Sequence, residues 1–179
     1  MILLLVLAGL TLWVNFSVQD NSSHPDRLKR HAPDYVIKNF VSYTTNRQGY
    51  LRNQLQANEM RHFPDDDSTW VVNPRYTQFI QNGPTTEVHS DKGQLSSEGE
   101  QVAFIGNVRM TRFAYAEQTE LTLETDLLYV QPQSEIMHTT RPVLVRQAPH
   151  TVIRAQGGMV YEKEKKLIQL MRNVRVRYE

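Results

Sequence analysis

The chain contains no cysteine, which excludes disulfide cross-links, thiolate metal sites and a cysteine nucleophile. It also lacks a glycine-rich phosphate loop, a dinucleotide-binding fingerprint and a G-x-S-x-G nucleophile elbow. Its six histidines (His24, His31, His62, His89, His138 and His150) are dispersed, with no HExxH motif. The acidic run Asp65–Asp67 is not followed by the regular ligands of a calcium loop and reads as a solvated turn. These absences predict a protein that is not an enzyme and that holds no metal and no cofactor. A net charge of +1 creates no whole-molecule field. No aromatic stacking motif interleaves the basic residues, so nucleic-acid binding is not expected.

Two further absences are local. Ile2 to Val18 carries no charge over 17 residues, the lower limit for a helix crossing a bilayer core of about 30 Å. Trp13 and Phe16 stand near its end, where aromatic rings favour the interface. A cleaved signal would need a basic start and a small-residue cleavage site, and the sequence has neither. An uncleaved anchor over 1–19 is therefore expected, with a polar linker over 20–33 and a folded domain over 34–179. Arg27, Lys29 and Arg30 follow the anchor and no basic residue precedes it. By charge alone that would leave the domain on the cytoplasmic side, unless translation begins further upstream.

Helical periodicity is the other absence, beyond Pro33. Apolar residues alternate instead: Val102 with Phe104, Leu121 with Leu123, and Val174 with Val176 and Tyr178. Short period-two runs between turn-forming clusters such as Asn46–Gly49, Asn82–Pro84 and Gln131–Ser134 predict antiparallel strands. A repeat underlies them. Segments opening near Asn58, Asp91, Asp126 and Gln156 close near Pro74, Val108, Val143 and Val174. Asp91 to Val108 and Asp126 to Val143 are each 17 residues apart, and Gln156 to Val174 is 18. Such spacing predicts similar hairpin units that cover one another's apolar faces. From Arg141 onward nine Lys or Arg stand against three Glu, an excess suited to an anionic partner or to a solvated strand face.

The ordered set of motifs resembles the LptC family of lipopolysaccharide transport components. It runs from Pro33-Asp34-Tyr35 through Leu55-x-Ala57, Trp70 before Pro74, and Val88-x-Ser90-Asp91-Lys92-Gly93-x-Leu95. Gly106-Asn107-Val108, Gln156-Gly157 and the closing Arg175-Val176-Arg177-Tyr178-Glu179 complete it. The match covers most of the chain. The resemblance implies an all-β fold, a twisted, boat-like antiparallel β-jellyroll behind one N-terminal transmembrane helix in the bacterial inner membrane. It implies a domain in the periplasm that takes lipopolysaccharide from the ABC transporter LptB–LptF–LptG and hands it to LptA, with ATP hydrolysed by LptB.

In such a jellyroll the inward faces hold acyl chains. The candidates for that lining are Phe63, Trp70, Tyr76, Phe79, Val102, Phe104, Leu121, Leu123, Ile136 and Val143. By family analogy the first strands, with Tyr35, Ile37, Phe40 and Tyr43, meet the transporter. The last, with Gly157, Leu170, Val174, Val176 and Tyr178, meet LptA. The competing expectations are a soluble LptA-like bridge and an anchored scaffold with a filled core and no lipid.

Overall fold

Alternation becomes an antiparallel sheet whose strands turn a corner midway. The computed structural model describes residues 31–97, 100–131, 134, 136–162 and 167–178. The anchor expected over 1–19 and nearly all of the linker fall outside them. Among the described residues there is no α-helix, and none long and apolar enough to cross a membrane. Residues Pro33–Glu179 form one compact unit.

Four strands are long: β1 (Tyr35–Thr45), β2 (Leu51–Phe63), β7 (Val102–Arg112) and β8 (Leu121–Gln131). The others come as consecutive short pairs. These are β3 (Ser68–Val72) with β4 (Arg75–Gln78), β5 (Thr86–His89) with β6 (Lys92–Leu95), and β9 (Ile136–Thr139) with β10 (Val143–Gln147). β11 (Thr151–Ala155) with β12 (Met159–Glu162) and β13 (Leu167–Leu170) with β14 (Arg175–Tyr178) complete them. The pairing explains the arrangement. One half-sheet runs β1-β2-β3-β6-β7-β8-β9-β12-β13 and the other β1-β2-β4-β5-β7-β8-β10-β11-β14. Each long strand passes through both, and each short pair does so by breaking at a corner. Every pairing is antiparallel.

The corners line up as a crease, and the sequence repeat lies on it. Asn39, Asn73, Asn107 and Asn173 adopt positive φ there, a conformation that a short polar side chain tolerates better than most. The repeat partners touch across neighbouring strands. Asn107 Nδ2 donates to Asp91 Oδ2 at 2.8 Å, Asn173 Nδ2 to Gln156 Oε1 at 2.8 Å, and Thr125 Oγ1 to the Pro142 carbonyl at 3.0 Å. The near-constant spacing in the sequence is thus the length of one half-strand, a turn and the return to the crease.

The two halves close on a shared core. Val88, Leu123 and Val145 of the second half pack with Phe104, Leu128 and Met159 of the first. The rings of Tyr76 and Phe104 face each other across it at 6.5 Å. The expected all-β antiparallel fold is what the chain adopts.

Candidate functional site: the groove between the half-sheets

Directly opposed residues of neighbouring strands share a face, so the register sorts every side chain. The interior row of the second half-sheet reads Leu55–Tyr76–Val88–Met110–Leu123–Val145–Ile153. The facing row of the first reads Met60–Val71–Gly93–Phe104–Leu128 and continues to Met159 and Leu170. Side chains do not fill the space between these rows. A cavity of about 240 Å³ lies near β1 and β2, walled by Leu55, Met60, Val71, Val102, Phe104 and Val130. A second of about 600 Å³ lies toward β12 and β13, walled by Met110, Leu121, Leu123, Met137, Met159 and Tyr161. Phe104 borders the first and Leu123 the second, and both belong to one buried cluster.

Of the residues expected in the groove, the structure brings Tyr76, Val102, Phe104, Leu121 and Leu123 to these cavities. Val143 is buried at the crease as core. The other four lie elsewhere. Trp70 sits between Thr69 and Val71, which both line the first cavity, so its ring takes the outer face opposite Arg61 and Gln94. Phe63, opposed to Ser68, shares that outer face. Ile136 precedes the inward Met137 and pairs with Gln131 and Glu162, again outward. Phe79 follows β4, donates its N–H to the Arg52 carbonyl at 2.8 Å and lines neither cavity.

Sequence reasoning missed Leu55, Val71, Val130 and Tyr161 on these walls, and with them four methionines. Met60, Met110, Met137 and Met159 all line the cavities. Methionine is unbranched and polarisable and moulds to irregular apolar guests. Four of six methionines standing at alternating strand positions is the signal that would have found them.

The expected partner strands stand at the sheet's margins. Among the described residues β1 pairs only with β2, β13 only with β12 and β14 only with β11. Tyr35, Ile37 and Tyr43 are exposed on β1, with Phe40 half-buried, and Val176 and Tyr178 are the most exposed large apolar side chains among the described residues. Val174 is exposed just before β14, and Leu170 closes β13 opposite Met159. Gly157 is not on an edge strand. It sits at the crease, its N–H donating to the Met171 carbonyl at 2.7 Å. The basic excess of the C-terminal half falls partly on the outer face. Arg109 and Arg146 both bind Glu124, and Arg154 opposes Arg175. Arg146, then Arg109, holds the Glu124 carboxyl below its ordinary range.

One charged cluster ties down the start of β1. His62 Nδ1 lies 2.8 Å from Asp34 Oδ1 and Nε2 lies 3.0 Å from Asp67 Oδ1, while the Tyr35 ring stacks on the imidazole at 4.9 Å. Serving two carboxylates requires both ring nitrogens to carry protons. The Asp67 hydrogen bond, then the Asp34 one, accordingly raises the His62 pKa above its ordinary 6.5. His62 in turn lowers that of Asp34 below 3.8. The stabilisation from His62 is therefore complete below pH 6.5 and lost as pH rises through the raised value, while on the acid side the Asp34 contribution, present above 3.8, is lost as pH falls through its lowered value. Amide exchange at Tyr35–Lys38, normalised for intrinsic rates, is expected to speed up as pH rises above 6.5 through the raised His62 value. His62→Gln should abolish that pH dependence; a step surviving in the variant would refute the bridge.

Among the described residues no three His, Asp or Glu side chains converge as metal ligands. The arrangement is a partly unfilled apolar interior between half-sheets whose outermost described strands are unpaired on one side. No curated protein matches the chain in sequence. A family model described as "Lipopolysaccharide-assembly, LptC-related" matches residues 1–179. The chain belongs to this LptC family. Its fold is similar to that of LptH from Pseudomonas aeruginosa, the LptA-homologous periplasmic component of the lipopolysaccharide transport device. The TM-score is 0.58 at 10% identity, over 71% of this chain and 94% of that one. At that identity the likeness speaks for the fold alone: an LptA-like jellyroll. Membership of the LptC family makes this chain a periplasm-facing component of lipopolysaccharide transport.

Proposed function

We propose that this LptC-family chain is an anchored periplasmic carrier. It receives lipopolysaccharide from the inner-membrane transporter LptB–LptF–LptG through the β1 edge and passes it to LptA through the edges of β13 and β14. It performs no chemical step. The observation that carries the reading is the unfilled apolar interior, two cavities walled by adaptable side chains. Burying an acyl chain there removes apolar surface from water at roughly 25 cal/mol per Å², enough to hold a lipid without a covalent bond. The exposed apolar margins support the second half of the proposal. A bare strand edge is an aggregation hazard unless a partner strand covers it. The uncharged segment 2–18 supplies the tether.

Photo-crosslinking residues placed at Phe104 and Leu123 should capture lipopolysaccharide in cells, whereas Trp70 and Glu124, on the outer face, should not. Labelling only from the outer positions would overturn the carrier reading. The unfilled cavities speak against a scaffold with a packed core. The mass of the mature chain separates the anchored carrier from a soluble LptA-like bridge, since only the bridge loses its N-terminal segment.

A further inference from the structure

The larger cavity is not uniformly apolar, and its polarity is laid out in rows. Its middle row in the second half-sheet, with Met110 and Leu123, is apolar. The next row outward, at the lip, contains Gln78, Thr86 and Arg112, opposed in turn across β4, β5 and β7. Gln118, from the loop after β7, joins them on the cavity wall. The facing lip, contributed by the first half-sheet, carries Met137, Tyr161 and Ile168. One lip is thus polar and the other apolar.

Arg112 is the unusual member. It occupies an inward strand position, beside Leu121 on β8. Its Nε is buried with no hydrogen-bond partner. Among the described residues none of the ion pairs involves it. Its lip neighbours are neutral: Gln78 and Thr86 on one side, Leu121 and Gln147 on the other. A buried guanidinium N–H without an acceptor is costly. Its planar fork of donors matches a phosphate or carboxylate in a way that no neutral group does.

We infer that the larger cavity binds a long-chain amphiphile with an anionic headgroup, the headgroup at Arg112 on the polar lip and the chain laid against Met110 and Leu123. The inference rests on the carrier reading and deepens it, because it gives the bound lipid a direction and makes Arg112 the residue that selects for negative charge. The head lies toward the loops after β4 and β7, and the hydrocarbon runs inward toward the crease.

The test uses the full chain in neutral maltoside micelles, with two probes at equal mole fraction. One is dodecyl phosphate and the other dodecyl glucoside, each bearing a diazirine near the chain's end. The native chain should capture the phosphate about tenfold more than the glucoside, as expected for charge-assisted hydrogen bonds, with label on Met110 or Leu123. Arg112→Gln should bring phosphate capture down to the glucoside level while glucoside capture stays unchanged, which also certifies that the variant is folded. Arg112→Lys should retain part of the preference. Equal capture of both probes by the native chain overturns the inference and leaves the carrier reading standing. So does a phosphate preference that survives Arg112→Gln. Capture of neither probe overturns both.

Discussion

Gly158→Ala should lower the thermal midpoint of the domain by on the order of 10 °C, reflecting a loss of about 3 kcal/mol or more. Gly158 sits at the crease between β11 and β12 with φ +93°, where a side chain strains the backbone. The space is also taken: a Cβ there would lie 2.0 Å from the Thr139 carbonyl oxygen and 2.8 Å from Thr140 Cα. Those are backbone atoms of the neighbouring corner, between β9 and β10, and they cannot rotate aside. Thr139 is itself 1% exposed, so displacing it disturbs the core around Leu128. Gly49 provides the comparison. Its φ is +86°, but nothing lies within 4 Å of a Cβ, so Gly49→Ala should cost only about 1 kcal/mol from backbone strain. Thermal unfolding by circular dichroism reads both. Equal shifts for the two variants would mean that close approach at the crease is not what holds the corners together.

Proline on β14 should uncouple folding from handover. β14 pairs with β11 on one side and with no strand on the other among the described residues. Along an antiparallel edge, successive N–H groups point alternately to the neighbour and to the open side. Arg175→Pro and Val176→Pro therefore divide the two directions between them. The variant whose lost N–H faced outward should melt like the native chain yet bind LptA at least tenfold more weakly. It lacks a donor for the added strand, and the ring obstructs approach. The other should lose stability in its last strand instead. Pull-down of LptA paired with a melting curve separates them. If neither proline weakens binding in a folded protein, β14 is not the handover edge, and β13 becomes the strand to test.

Strands were legible because alternation is local. Leu121 and Leu123 each follow from their neighbours, and both turn inward. The repeat was legible as spacing, and its meaning, a line of corners, required the partners to be seen touching. What alternation leaves open is its phase. Period two says that Trp70 faces away from Thr69 and Val71, not which of the two faces is inside. Trp70 and Phe63, both expected on the inner face, are sent outward by the register.

The crease makes this harder, because it resets the phase within a single strand. In β8 the inward residues are Leu121, Leu123 and Thr125, and then Leu128 and Val130. Odd positions give way to even ones at Asp126 and Leu127. In β2 the inward set passes from Leu55 and Ala57 to Met60 in the same way. A face read from one half of such a strand cannot be carried across the corner by counting, whereas in β7 Phe104 and Met110 face inward with the same parity.

The amino-acid sequence by itself determined the β class, the approximate strand segments and the spacing of the repeat, since these depend on alternation, turn chemistry and distance along the chain. Only the tertiary structure decided which face encloses the groove, that four methionines share in walling it, that the Arg112 Nε stands without a partner at its lip, and which strands are left as edges. Each of these depends on register and on which strand lies beside which, and pairings between residues distant in sequence set both.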